Sequence, residues 1–268
     1  MSRRGAGIGI LAIVVGLLLL VVLPVSAITW GQPDFDHTNV GAMVVDWPDF
    51  GPYQWCSGTL VHPQVFLTAG HCTEGLDEYG IEQVWVNFHP YAVNPDTLLP
   101  VAQVITHPDY AWGGANPHDV GLLVLAEPVD GIAPAQLPAE GLLDELKRSG
   151  QLRSGPDDAG FTVVGYGGTL SWPPPEITYD DVRQYAESEY KALTQVWLHM
   201  FQNRLADDGG TCFGDSGGPA FWTAPDGSEI LVGITSWGDA QCVATGFDYR
   251  VDIPETLDFV QSVISGLP

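Results

Sequence analysis

The sequence predicts an all-β protein, an antiparallel barrel or sandwich, from three observations. Short runs rich in β-branched and aromatic residues recur along the chain, turn-forming residues separate them, and helical periodicity is rare. The 268 residues include 32 Gly and 21 Pro, as expected for many short strands joined by turns. With 45% hydrophobic residues, the chain can bury a large core, in one double-lobed domain or two small ones.

The strand signal is carried by eight runs of β-forming residues. They are residues 40–45, 58–61, 65–68, 83–88, 102–106, 121–125, 161–165 and 230–236. Between the last two runs, Trp172 is followed by three consecutive prolines. Because proline has no backbone N–H to give to a sheet ladder, this segment is expected to be a loop.

Two segments depart from the β pattern. Within residues 139–149, three leucines stand at helical spacing, and Gly150 is a stop signal. A terminal helix is predicted over residues 253–265. It would follow Asp252-Ile-Pro-Glu, which has the spacing of a capping box, and its apolar residues share one face.

The net charge of −24, from 33 acidic and 9 basic residues, is strongly one-sided. Residues 28–146 contain 16 Asp or Glu and no Lys or Arg. Such a surface repels nucleic-acid phosphates and anionic lipid headgroups, which excludes a nucleic-acid partner. The excess would suit a salty or acidic habitat, or would steer cationic substrates toward the protein.

The first 27 residues have the pattern of a signal peptide. Arg3 and Arg4 precede an uncharged stretch over residues 5–25, which ends in the small-residue exit Val25-Ser-Ala. Cleavage before Ile28 would release a secreted domain over residues 28–268. The alternative is an uncleaved anchor, because the apolar stretch is long enough to span a bilayer, and the protein would meet a membrane only in that case.

Export makes the four cysteines interpretable. In an oxidising compartment an even number predicts two disulfides, with three possible pairings. The pairs closest in sequence are Cys56 with Cys72 and Cys212 with Cys242. The competing interpretation, a zinc site, is disfavoured because no Cys-x-x-Cys pair occurs.

Three separate segments carry residues suited to nucleophilic catalysis. They are Thr-Ala-Gly-His71-Cys, Pro-His-Asp119-Val-Gly-Leu-Leu and Gly-Asp-Ser216-Gly-Gly-Pro. A serine hydroxyl needs a base to become a nucleophile, and a histidine fixed by a carboxylate supplies one near neutral pH. The glycines beside Ser216 allow backbone N–H groups to converge on one point, as a developing oxyanion requires. Each segment alone is weak, but their combination is specific.

These segments resemble those of trypsin-like (chymotrypsin-fold) serine proteases of the kind that bacteria secrete. The family has Thr-Ala-Ala-His-Cys where this chain has Thr-Ala-Gly-His71-Cys, and Asp-Ile-Ala-Leu-Leu where it has Asp119-Val-Gly-Leu-Leu. The Ser216 motif is intact, and Ser236-Trp-Gly and Val164-Gly-Tyr-Gly also resemble family segments. The resemblance runs from about Ile28 to the terminal helix.

The resemblance implies a role for each residue of the site. Ser216 would be the acyl-forming nucleophile, His71 the general base and later the acid, and Asp119 the residue that orients His71. The N–H groups of Gly214 and Ser216 would form the oxyanion hole. Ser236 would donate a hydrogen bond near Asp119.

The resemblance also implies the architecture. Two six-stranded antiparallel β-barrels would enclose the site in the cleft between them, with barrel one at roughly 28–135 and barrel two at roughly 136–252. Ser236, Trp237 and Gly238 would pair with the substrate backbone as an added strand. Family disulfides match the two pairs closest in sequence. No cofactor and no metal are expected. The protein is expected to be a monomer that acts on protein or peptide substrates.

The specificity pocket departs from the trypsin type. Gly210 stands where those enzymes hold an Asp, and Thr211, Gly246 and Asp248 are further candidate pocket residues. A shift of one residue in a strand turns a side chain to the other face, so two alternatives stay open. If Asp248 points inward, the pocket is acidic and takes basic side chains. If it is solvated, which we favour, the pocket is neutral and takes bulky apolar groups.

The segment after the leader resembles the activated N-terminus of the family. Cleavage before Ile28 would create an α-ammonium group, and we expect this group to pair with Asp215. The alternative is that neighbouring backbone amides satisfy Asp215.

Four acidic residues after His71 invite a calcium interpretation. They are Glu74, Asp77, Glu78 and Glu82. Their spacing matches no strict ligand pattern, so a solvated acidic face is expected. For function we expect a secreted serine endopeptidase, with a catalytically silent binding module or an esterase as alternatives.

Overall fold

The structure, a computed structural model, describes residues 28–154, 160–171, 176–202 and 208–267. The expected leader and the expected proline loop at 172–175 lie outside the described residues. No helix in the described part of the chain is long and apolar enough to cross a membrane.

Strands dominate the described residues, and helices are few. The strands are β1 (Gln32–Pro33), β2 (Val40–Trp47), β3 (Gly51–His62), β4 (Val65–Thr68), β5 (Val84–Asn87), β6 (Leu99–Thr106), β7 (Gly121–Leu125), β8 (Gly160–Gly165), β9 (Thr169–Ser171), β10 (Glu176–Thr178), β11 (Gln184–Leu193), β12 (Trp197–Phe201), β13 (Pro219–Thr223), β14 (Glu229–Gly238) and β15 (Thr245–Arg250). The α-helices are α1 (Gly70–Thr73), α2 (Leu142–Arg148) and α3 (Pro254–Ser265).

The strands form two closed antiparallel barrels, which confirms the predicted fold class. Barrel one closes in the order β2-β3-β4-β7-β6-β5, and barrel two in the order β11-β12-β15-β14-β13-β8, through the pairing of β11 with β8. Each barrel thus has six strands. Full closure leaves no unpaired sheet edge around the core.

Apolar side chains fill both barrels. In barrel one, Phe66 and Leu122 from neighbouring strands are completely buried. In barrel two, Phe161, Leu198 and Val232 are equally buried and belong to one apolar cluster. Both predicted helices are present, and Phe259 of α3 packs its ring against His107 of the loop after β6.

The N-terminal segment departs from the predicted barrel boundaries. Strand β1 pairs with β11 of barrel two, and Thr29 exchanges two backbone hydrogen bonds with Gly210. The residues that open the described chain therefore belong to the surface of barrel two, although they precede barrel one in sequence.

The predicted capping box of the terminal helix is wrong. Ile253 is the N-cap residue of α3, and no side chain caps that end. The carboxylate of Asp252 instead accepts hydrogen bonds from the guanidinium of Arg250 and from the backbone amide of Leu143. A buried cation competes more strongly for a carboxylate than helix amides do.

A buried ion pair lies between the barrels. Arg183 is 1% exposed, and its Nε donates to Asp34 Oδ2 at 2.7 Å. Its Nη1 donates to the carbonyl oxygens of Val40 and Phe88 in barrel one. Burial raises the pKa of Asp34, but hydrogen bonds and charges from His37 and Arg183 outweigh it and hold that pKa at about 2.

Replacing Arg183 by Gln should lower the free energy of unfolding by about 3–5 kcal/mol, because it removes the buried guanidinium and leaves His37 as the remaining ion-pair partner of Asp34 among the described residues. Urea titration measures the change. The matched control is Arg148→Gln, which removes the same charge from an exposed pair with Glu145 and should change stability little. Since the pKa of Asp34 is depressed, its contribution is present above about pH 4 and lost as the pH falls toward 2. Equal effects of both substitutions would contradict this account.

Candidate active site

The first two site residues come from barrel one. His71 lies in the single turn of α1, directly after β4, and Asp119 lies directly before β7, the neighbour of β4 in the barrel. The ring Nδ1 of His71 is 3.0 Å from Asp119 Oδ2, and the backbone amide of His71 donates to Asp119 Oδ1 at 2.8 Å. Two bonds from one residue fix the orientation of the imidazole.

Asp119 is completely buried, and it receives a third donor from barrel two. The hydroxyl of Ser236, at the end of β14, donates to Asp119 Oδ2. Burial raises the pKa of Asp119, but the hydrogen bonds from His71 and Ser236 outweigh it, so the pKa lies below its ordinary value. Asp119 is therefore a carboxylate at neutral pH, as an imidazole partner requires.

Ser216 is held against the segment that bears His71. Its carbonyl oxygen accepts a hydrogen bond from the backbone amide of Ser57 at 2.8 Å and lies 3.7 Å from the sulfur of Cys72. Within the described residues the Ser216 hydroxyl has no hydrogen-bond partner. Nucleophile–base bonds are often loose without substrate and tighten in the complex.

The predicted oxyanion donors are unpaired. Gly214 has φ +96°, a conformation that favours glycine. Among the described residues, neither its amide nor that of Ser216 has an acceptor. The carbonyl of Gly214 accepts from Gln54 Nε2 at 2.8 Å and from the Ser57 hydroxyl at 3.0 Å. Two free amides and a fixed carbonyl are the arrangement that a tetrahedral oxyanion needs.

Gln54 and Ser57 are site residues that the sequence analysis missed. Both lie on β3, far from Gly214 in sequence. A strand glutamine and a strand serine carry no signal of this role, since only the tertiary structure brings them to the Gly214 carbonyl. The Ser57 hydroxyl also accepts from the backbone amide of Tyr166 at 3.0 Å, so it is held by one donated and one accepted hydrogen bond.

Asp215 is buried and bonded to backbone amides. Its two oxygens accept from the amides of Gly167 and Cys212 at 2.7 and 2.8 Å. Burial raises the pKa of Asp215 to about 7, although these two bonds lower it in part. Ile28 is also completely buried, but its nitrogen donates to Gln184 Oε1 at 3.2 Å. The pairing of an Ile28 ammonium with Asp215 stays a prediction.

The predicted substrate strand ends on the surface. Trp237 and Gly238 are exposed at the end of β14, while Ser236 is buried toward Asp119. The indole of Trp237 stacks on the ring of Phe247 with centroids 3.7 Å apart. This contact holds an open stretch of backbone beside the site.

The solvated position expected for Asp248 is wrong. Asp248 is 0% exposed, because β12 and β14 flank it on both sides. Neither carboxylate oxygen has a partner among the described residues, and burial raises the pKa of Asp248 to about 8.

Both predicted disulfides are present, joining Cys56 to Cys72 and Cys212 to Cys242. In the described chain, the one group with metal-ligand spacing is Cys56, Cys72 and His71. Its two sulfurs form a disulfide and are not thiolates, so the group is no metal site. The four acidic residues after His71 are all exposed.

Comparisons with known proteins agree with this geometry. A family model described as Trypsin matches residues 31–260. A trypsin of Saccharopolyspora erythraea is 32% identical over 220 residues, which cover 79% of this chain and 85% of that protein. A trypsin of Phaedon cochleariae is 32% identical over 213 residues, covering 74% and 76%. A tryptase of Mus musculus is 31% identical over 205 residues, covering 69% of each.

Proposed function

Because the chain belongs to the trypsin family and is a serine-type endopeptidase, we propose that it cleaves peptide bonds through an acyl-enzyme on Ser216. The observation that carries this proposal is the chain of hydrogen bonds from His71 and Ser236 to the buried carboxylate of Asp119. Protein or peptide substrates follow from the family. Their backbone would add as a strand beside Ser236, Trp237 and Gly238.

In the proposed acylation, the free ring nitrogen of His71 takes the Ser216 proton while Oγ bonds to the substrate carbonyl carbon. The amides of Gly214 and Ser216 donate to the resulting oxyanion. When the C–N bond breaks, His71 returns the proton to the leaving amine. Water then attacks the ester with His71 again as base, which releases the acid and restores Ser216. Asp119 stays ionised and stabilises the imidazolium in both steps.

Two other functions fit the same scaffold less well. A catalytically silent binding module would not need His71, Asp119 and Ser216 together with two unpaired amides. An esterase would use the same chemistry, since an acyl-enzyme also forms from esters. The experiments below separate all three.

We further propose that the domain is exported and begins at Ile28. Two disulfides fit an extracellular protein. An ammonium group at Ile28 would give the buried carboxyl of Asp215 a cationic partner and so lower its pKa from about 7. That pair would hold the Ser216 loop, since Asp215 directly precedes Ser216.

Labelling with a fluorophosphonate should modify Ser216 in the parent enzyme, and Ser216→Ala should abolish both labelling and peptide cleavage. Mass spectrometry of the labelled peptide identifies the site. An unlabelled Ser216 would favour the binding module, and labelling with cleavage of esters alone would favour the esterase.

Ser57→Ala should lower kcat by about tenfold with little change in KM, because the Gly214 carbonyl loses a donor and its amide is less well aimed at the oxyanion. Steady-state kinetics on a peptide amide measures the split. The control is Ser228→Ala, which removes a hydroxyl from an exposed turn. A rise in KM with unchanged kcat would assign Ser57 a binding role instead.

Enzyme whose first residue is Ile28 should be fully active, and enzyme that keeps Ala27 should be at least about tenfold less active, because a buried carboxyl then lacks its cation. Mass spectrometry of the secreted protein gives the first residue, and peptide cleavage gives the activity. Full activity with any other first residue would refute the pairing with Asp215.

A further inference from the structure

The side chain of Gln202 occupies the space that a side chain at position 210 would fill. Gly210 has no side chain, and a Cβ built there would lie 2.1 Å from Cγ of Gln202 and 2.5 Å from its Nε2. A Cβ at Gly246 would lie 2.6 Å from the same Nε2. The buried side chain of Gln202 therefore runs between two glycines, in the space that their missing side chains leave.

The carboxamide of Gln202 is only half satisfied. Its Nε2 donates to the carbonyl and to the hydroxyl of Thr211, at 3.3 and 3.2 Å. Its Oε1 is buried and has no donor among the described residues. The orientation of the amide thus leaves a free acceptor beside residues 210 and 211.

A second set of unpaired polar atoms lies on the same face of the sheet. Asp248 is two residues after Gly246 on β15, so both face the same side. Its pairing partners are Leu198 on β12 and Thr235 on β14. Both oxygens of Asp248 and the hydroxyl of Thr235 are buried without partners among the described residues.

None of the charged or titratable residues described around Asp248 is available to form an ion pair with its carboxyl group. Arg250, the next residue on its face of β15, is engaged by Asp252 and Asp144. On β12, the ring of His199 packs against Phe247, a residue of the opposite face of β15. On β13, the uncharged residue Ala220 lies near Asp248: a Cβ built at Gly233 would be 3.2 Å from Cβ of Ala220 and 2.9 Å from Cβ of Asp248. A buried carboxyl with neither cation nor donor is costly and rare, and it calls for a functional reason.

These acceptors connect to the predicted substrate strand. Gly246 pairs with Gly238, which is exposed at the end of β14. A side chain entering beside Gly238 would meet Gly246 and Gln202 first and Asp248 behind them. Three unpaired oxygen acceptors and one hydroxyl on this face match a ligand that brings several N–H donors and a positive charge.

We propose that Gln202 and Asp248 form the floor of the primary specificity pocket and bind the cationic side chain of a lysine or arginine that precedes the scissile bond. The inference rests on the proposed function and adds its substrate class. Asp248 on β15 supplies the negative charge and Gln202 supplies a neutral hydrogen-bond acceptor, while Gly210 has no carboxylate to offer.

The proposal implies an unusual pH dependence. Burial raises the pKa of Asp248 to about 8, so in the empty pocket its carboxyl is protonated at pH 7 and ionised at pH 9. Binding of a cation at pH 7 must therefore release a proton. Affinity for a cationic group should increase from pH 7 to 9, while affinity for a neutral group of the same shape should not.

The test compares peptides that differ only in the residue before the cut: Arg, Lys, Gln, Phe or Leu. The parent enzyme should prefer Arg and Lys in kcat/KM by at least about tenfold, and Asp248→Asn should remove this preference while sparing Phe and Leu. The matched control is Asp258→Asn, which deletes an exposed carboxylate of α3 and reports any effect of net charge alone. A parent preference for Phe, Leu or Gln, or equal losses in both variants, would overturn the proposal.

A measurement on the unmodified enzyme guards against a variant that fails to fold. Inhibition by n-butylammonium should strengthen about tenfold from pH 7 to 9, as expected for loss of a proton with a pKa near 8, while inhibition by n-butanol should stay constant. No difference between the two would overturn the proposal. Enzyme that labels at Ser216 but fails this test refutes only the pocket assignment, whereas failure to label refutes the proposed function itself.

Discussion

A single buried carboxylate joins the two barrels at the site. Asp119 takes two hydrogen bonds from His71, its neighbour in barrel one, and a third from Ser236 of barrel two. Without these donors a carboxylate in that position would be protonated by burial. The geometry of the imidazole therefore depends on how the barrels meet, and the other contacts between them, such as the Ser57 amide to the Ser216 carbonyl, reinforce the same interface.

Three buried aspartates show how environment sets chemistry in one protein. Asp119, with donors on both oxygens and an imidazole beside it, has a lowered pKa. Asp215 has only two backbone amides, and its pKa rises to about 7. Asp248 has no donor among the described residues, and its pKa rises to about 8. This order follows the number of hydrogen bonds that offset desolvation. A buried carboxyl that accepts few hydrogen bonds within the chain gains most from an additional cationic partner. In our proposals this partner is the new N-terminus for Asp215 and the substrate for Asp248.

The site also depends on side chains that act through the backbone. Gln54 and Ser57 hold the carbonyl of Gly214, so the amide on the other side of that residue has a fixed direction. Arg183 ties barrel two to carbonyls of barrel one across the same interface. Such contacts explain how a cleft between two separate barrels keeps its donors aligned.

The sequence by itself determined the elements whose signal is local. These are the short strands with clear apolar runs, both helices and the motifs of His71, Asp119 and Ser216. For the disulfides the sequence left three pairings open, and the resemblance to the family favoured the two pairs closest in sequence. It missed β11, because polar residues of that strand such as Gln184 and Ser188 are buried and hide the alternation. Only the tertiary structure decided that Asp248 is buried, that Gln202 lies between two glycines and that Asp252 does not cap the terminal helix. Each of these depends on which side chains the packing of strands and helices buries together, and a local sequence pattern contains no information about that.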